Sequence, residues 1–116
     1  MSSSSCLFCR VVAREAPADI LHETETVLAF RDIRPGAPVH ILLIPKEHMT
    51  DLRELEDRHE GMVLDLMQAA THLAKAEKVD ETGWRLVANV GPDAGQSVFH
   101  LHFHLLGGRH MGWPPG

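Results

Sequence analysis

No apolar run in this chain approaches the roughly 18–20 residues of a membrane span. The opening "MSSSSCLFCR" carries no basic stretch leading into an apolar one, so no secretory signal is visible, and a cytoplasmic location is the expectation. Positive charge is in short supply too. Eleven Lys and Arg against sixteen Asp and Glu leave a net charge of −5, which points to neither a nucleic-acid polymer nor an anionic membrane as partner. An anionic small molecule stays open, because backbone amides and imidazoles bind anions locally. Cysteine is scarce: only Cys6 and Cys9, spaced C-x-x-C, which in a reducing compartment indicates metal or redox chemistry before a structural disulfide. Internal repeats and linkers are missing, and 116 residues suffice for one modest core. One domain over 1–116 is expected, with 1–5 as a mobile leader and 107–116 as a Gly/Pro-rich tail.

What the chain has in excess is histidine, nine of 116 residues. Its apolar pattern predicts a short helix over 6–15, with Leu7, Val11 and Val12 inward and Pro17 as its stop. Strands follow at 19–24, 26–33 and 39–45, with "RPGAP" (34–38) as a turn. Residues 50–78 read as one long helix, whose apolar face from about Asp57 holds Met62 or Val63, Leu66, Met67, Ala70, Leu73 and Ala74. Further strands are expected at 84–90 and 97–106, separated by the Gly-rich loop "GPDAGQ". Strands around a single long helix indicate α+β with a mostly antiparallel sheet.

In "SVFHLHFHLLGG" (97–108), strand alternation sends His100, His102 and His104 to one face, and Phe99, Leu101, Phe103 and Leu105 to the core. Packing gives no reason for three aligned imidazoles. On a flat strand the outer pair is about 13 Å apart, too far for one ion to gather all three. Separate jobs are expected instead. A neutral imidazole is a competent nucleophile toward phosphorus, and the phosphoramidate it forms is labile. His102, flanked on both sides, is the natural nucleophile, and His104 can bind the phosphate or help protonate a leaving group. Ser97 and the amides of "AGQS" are suitable phosphate donors. His22, His59, His72 and His110 read as surface or tail residues.

At these residues the chain resembles a known family. "HLHFHLLGG" is similar to the His-x-His-x-His-x-x motif of the histidine triad (HIT) nucleotide-binding proteins. "LAFRDIRPGAPVHILLIPKEH", "VANVGPDAGQSVFHLHFHLLGG" and the closing "GWPPG" resemble the nucleoside phosphoramidase branch. The resemblance implies a homodimer whose two five-stranded antiparallel sheets join into one. It also implies binding of a purine nucleoside monophosphate and hydrolysis of P–N bonds through a nucleotidyl-histidine, with no magnesium required. Residue by residue, His102 is then the nucleophile, His104 touches the α-phosphate, and Ser97 lies near the leaving group. Asp32 holds the ribose, Phe30 and Ile33 line the base pocket, and Asn89, Gly95 and Gln96 lie at the phosphate. His40 stands beside the triad, and Trp113 reaches toward the partner's site. From the residues alone, Asp32 fits a turn cap and Phe30 and Ile33 fit ordinary core positions equally well. A purine nucleotide-binding regulatory module and a dinucleoside polyphosphate hydrolase are the alternative functions.

The C-x-x-C pair needs two more ligands for tetrahedral zinc. The chain resembles bacterial members of the family in which two cysteines, the histidine of "PKEH" and the first triad histidine bind the metal. That resemblance assigns structural zinc to Cys6, Cys9, His48 and His100.

Overall fold

The structure is a computed structural model that describes residues 5–116; all but the last position of the expected mobile leader lie outside the described residues. A short helix, α1 (Leu7–Val12), leads into three antiparallel strands, β1 (Ile20–Glu23), β2 (Val27–Arg31) and β3 (Val39–Pro45). Two 3-10 turns, at Leu52–Glu54 and Asp57–His59, precede the long helix α2 (Glu60–Ala76). Strand β4 (Trp84–Ala88), a 3-10 turn at Pro92–Ala94 and strand β5 (Phe103–Gly107) complete the chain. The five strands form one antiparallel sheet in the order β1-β2-β3-β5-β4. The α+β architecture read from the sequence is therefore the observed one.

Strand alternation divides the core into two layers. Val27 and Ala29 of β2, Val39, Ile41 and Leu43 of β3, and Leu105 of β5 face α2, where Leu66, Ala70, Leu73 and Ala74 cover them. Leu28, Phe30, Leu42 and Ile44 face the other way, and Phe8 and Val11 of α1 close over them. The register pairs Phe30 with Leu42 and Leu42 with His104, so apolar residues and a triad histidine lie side by side on the α1 face. Gly108 turns the chain out of β5 at φ +90°, where an added Cβ would lie 2.9 Å from the Pro38 ring. Only glycine fits that turn without displacement.

Four expectations need correction. The helix begins at Glu60 rather than 50, because side chains cap the preceding backbone as separate turns. Asp51 accepts from the Arg53 amide, and the His59 ring accepts from the Glu56 amide. His59, expected on the surface, is buried, with Nε2 at 3.3 Å from the Glu47 carboxylate. In α1 it is Phe8 that turns inward, whereas Leu7 stays half exposed. Finally, the last strand starts at Phe103, and residues 97–102 leave the ladder. Leu101 still enters the core, but Phe99 projects into solvent at 60% exposure. The cause is local: the Leu101 amide donates to Met49, and the His100 carbonyl accepts from the His102 ring.

Candidate functional site

The irregular stretch 97–102 lets neighbouring histidines do different things. His100 is fully buried, and its Nε2–H donates to the Pro45 carbonyl at 2.9 Å. That bond leaves Nδ1 as a lone pair. Nδ1 faces Cys6 Sγ at 3.4 Å, Cys9 Sγ at 3.5 Å and His48 Nδ1 at 3.2 Å, and Cys9 Sγ lies 3.2 Å from His48 Nδ1. The four ligand atoms all fall within 4.8 Å of one another. Zinc with Zn–S of about 2.3 Å and Zn–N of about 2.0–2.1 Å sets its ligands on a tetrahedron with edges of about 3.3–3.8 Å. The donor set and its spacing fit zinc.

His102 faces the opposite requirement. Its Nδ1–H donates to the His100 carbonyl at 2.7 Å, so the free lone pair is on Nε2. Phe8 packs edge-on against the ring at 5.1 Å and His104 at 5.0 Å, fixing its plane.

A third chain of bonds sets His104. The Gly36 amide donates to His40 Nδ1 at 2.8 Å, so the neutral His40 ring carries its proton on Nε2. Nε2 lies 2.9 Å from His104 Nδ1 and 3.4 Å from Asp32 Oδ2. Donation to Nδ1 leaves the His104 proton on Nε2. Burial, then the neighbouring His102 and His40, push the His104 pKa down to about 4. Burial likewise lowers that of His40 against the pull of Asp32. Both rings are neutral near pH 7, and His104 is a hydrogen-bond donor without charge.

His102 and His104 line a cleft of about 580 Å³, a size suited to a small-molecule ligand. Phe30 and Leu42 form its floor, α1 contributes Phe8 and Val11, and Phe8 meets Phe30 edge to face at 5.5 Å. Asp32, Ile33, Ser97, His102 and His104 also border it. Asp32 spends Oδ1 on the Arg34 amide, as its turn-cap reading requires, while Ile33 stands at the rim, 89% exposed. Asn89, Gly95 and Gln96 do not line the cleft. The Gln96 amide braces the loop, accepting from Gly91 N–H and donating to the Thr50 and Val98 carbonyls. Trp113 is 82% exposed and borders no part of its own chain's cleft. The sequence reading missed Phe8 and Leu42. Leu42 shares a strand face with His40, a parity that could have revealed it; for Phe8 the helical pattern allowed either Leu7 or Phe8 to turn inward.

Among known proteins, the HIT domain family matches residues 13–111 of this chain. A 14 kDa zinc-binding protein of Brassica juncea is 48% identical, over 95% of this chain and 98% of its own. The adenylylsulfatase HINT1 of Arabidopsis thaliana is 47% identical, over 99% of this chain and 79% of its own. Among solved structures, a HIT family hydrolase from Legionella pneumophila Philadelphia 1 superposes with a TM-score of 0.94 at 47% identity, covering 97% of this chain and all of that one. With the motif, the fold and these matches in agreement, the chain belongs to the HIT domain family.

Proposed function

We propose that this protein is a hydrolase of purine nucleotides that cleaves the P–N bond of adenosine 5′-phosphoramidate-type substrates through a nucleotidyl-His102 intermediate. The observation that carries this reading is the 2.7 Å bond from His102 Nδ1–H to the His100 carbonyl, which presents Nε2 as the nucleophile. The lone pair attacks phosphorus, the P–Nε2 bond forms, and the P–N bond to the amine breaks. The departing nitrogen takes a proton relayed by Ser97 or His104. His102 becomes a phosphorylated imidazolium whose Nδ1–H stays on the carbonyl. Water then attacks phosphorus and returns a proton to that relay, the P–Nε2 bond breaks, and nucleoside monophosphate leaves beside a neutral imidazole.

In this reading the base lies between Phe8, Phe30 and Leu42, and Asp32 accepts from the ribose hydroxyls. The uncharged His104 donates to a phosphate oxygen, where charge develops in the transition state. Asn89, Gly95 and Gln96 shape the phosphate loop, and Trp113 of each chain lies toward the partner's site in a homodimer. Zinc on Cys6, Cys9, His48 and His100 would supply a structural cross-link between α1 and the chain leading to β5.

The name of the Arabidopsis relative favours a second substrate for the same nucleophile, an adenylyl sulfate, whose sulfate leaves from a P–O bond without needing a proton. The decisive test is His102→Ala. Turnover of adenosine 5′-phosphoramidate falls by about a thousandfold or more while AMP still binds and the fold persists. Intact-mass detection of a nucleotidyl adduct in the parent, and its loss in the variant, completes it. Retained turnover in the variant eliminates the covalent route.

A further inference from the structure

Gly107 of β5 pairs with Val39 of β3, and the chain leaves the sheet just beyond. Gly108 presses against the Pro38 ring, which brings Arg109 beside the turn at 34–38. There the Arg109 Nε–H donates to the Gly36 carbonyl at 2.9 Å, and Nη1–H donates to the His110 carbonyl at 3.2 Å. Among the described residues Arg109 takes part in no ion pair, although the chain carries an excess of carboxylates. Its donors are spent on backbone. Gly36 is also the residue whose amide donates to His40 Nδ1 at 2.8 Å. The family resemblance sends the tail toward a partner's site, but this bond gives its second residue beyond β5 a task in its own chain.

We infer that Arg109 is a positioning residue for the triad: by holding the Gly36 carbonyl it keeps the Gly36 amide on His40 and, through His40, the His104 proton on Nε2. The use of that proton at the phosphate rests on the phosphoramidase reading given above; the tautomer itself does not. Asp32 fixes the start of the turn by accepting the Arg34 amide, and Ala37 is buried. Gly36 lies exposed between them, with Arg109 as the clamp on its carbonyl. A hydrogen bond weakens steeply once it is misaligned, so an unclamped Gly36 amide releases His40 Nδ1 to take a proton. His40 Nε2 then becomes an acceptor, and by exchange with water the His104 proton shifts to Nδ1. A lone pair, not a donor, would face the phosphate oxygen. Asp32 Oδ2, 3.4 Å from His40 Nε2, opposes the change because it favours a proton on that nitrogen. Arg109 therefore biases a population that Asp32 also biases, and its effect is several-fold.

The test compares the parent with Arg109→Ala, Arg109→Lys and Arg85→Ala. Arg85 donates to the Gly112 carbonyl at 3.1 Å, so its loss loosens the tail without touching the turn. Nitrogen NMR of the free proteins reads the His104 tautomer, and kcat and KM are measured with adenosine 5′-phosphoramidate. In Arg109→Ala the His104 proton becomes divided between the two nitrogens, and kcat falls about fivefold, the scale of one lost surface hydrogen bond from a charged donor. KM stays within about twofold, because the donor acts on charge that develops in the transition state. Arg109→Lys, with one donor in place of the planar fork, falls between parent and Arg109→Ala in both readouts. Added free guanidinium restores part of the tautomer and of kcat in Arg109→Ala, and restores neither in His40→Phe. Arg85→Ala keeps the parent's tautomer.

An unaltered His104 tautomer in Arg109→Ala overturns the inference, whatever happens to turnover. An equal tautomer change in Arg85→Ala overturns it too, since the tail as a whole would then be responsible. A raised KM with unchanged kcat would make Arg109 a substrate contact instead. Should Arg109→Ala not fold, an Arg109→Lys protein indistinguishable from the parent in tautomer and kcat has the same force. A parent that does not turn over the phosphoramidate refutes the phosphoramidase reading, and the tautomer measurement, made without substrate, still decides the role of Arg109.

Discussion

His104 illustrates how a backbone amide can dictate chemistry two side chains away. Gly36 N–H fixes the His40 tautomer, and His40 fixes that of His104, across bonds of 2.8 and 2.9 Å. His40→Phe keeps a ring of comparable size but removes the donor. The expected result is a loss of about 10–100-fold in turnover, the usual scale for a misplaced proton donor. Nitrogen NMR of the His104 ring should show its proton divided between Nδ1 and Nε2 instead of held on Nε2. A variant with full activity and an unaltered tautomer would mean that His40 only fills space.

At the scale of elements, α1 is the piece with least intrinsic support. Its six residues are far too few for a helix to persist alone in water. It is held from one side by Phe8 and Val11 in the apolar layer. Cys6 caps its first turn, accepting from the Cys9 amide, and both thiols face His100. If zinc joins these ligands, its removal should release α1 selectively. We expect hydrogen exchange at the Arg10 and Ala13 amides, which donate to Cys6 and Cys9 carbonyls, to accelerate at least about tenfold on chelation. Amides within α2 should keep their protection. Uniform protection before and after metal removal would show that apolar packing alone holds the helix.

For the whole molecule, the buried imidazoles predict sensitivity to acid. His104 in the folded protein titrates near 4, below the roughly 6.5 of an unfolded histidine, and His40 is lowered as well. The unfolded chain therefore binds protons first. Their contribution to stability is intact above about pH 6.5 and drains away as the pH falls toward 4. His104 alone accounts for roughly 2–3 kcal/mol over that span, read as a falling urea midpoint. A flat stability profile between pH 7 and 4 would contradict the burial of the pair. The sheet has two open edges, β1 and β4, and the proposed dimer would continue it across one of them. Sedimentation equilibrium should give twice the mass of a single chain, and a monomer at micromolar concentration would remove the shared sheet.

Much of this was legible in the residues themselves. Composition and the flanking turn residues mark "TVLAFRDI" and "VHILLIP" as strands, and in the structure Val27, Ala29, Ile41 and Leu43 share one layer and Phe30 and Leu42 the other, as strand alternation requires. The spacing of Leu66, Ala70, Leu73 and Ala74 marked the buried face of α2 for the same kind of reason. Residue type and order likewise singled out His102, and the family resemblance the Cys6, Cys9, His48, His100 set. Tertiary structure alone decided how residues 97–102 would run. Alternation made them a strand; bonds to Met49 and Pro45, distant in sequence, draw the Leu101 amide and the His100 ring out of that pattern and leave Phe99 outside. Local sequence carries the period of a side-chain pattern, but a hydrogen bond between segments some fifty residues apart exists only once the sheet has brought them together.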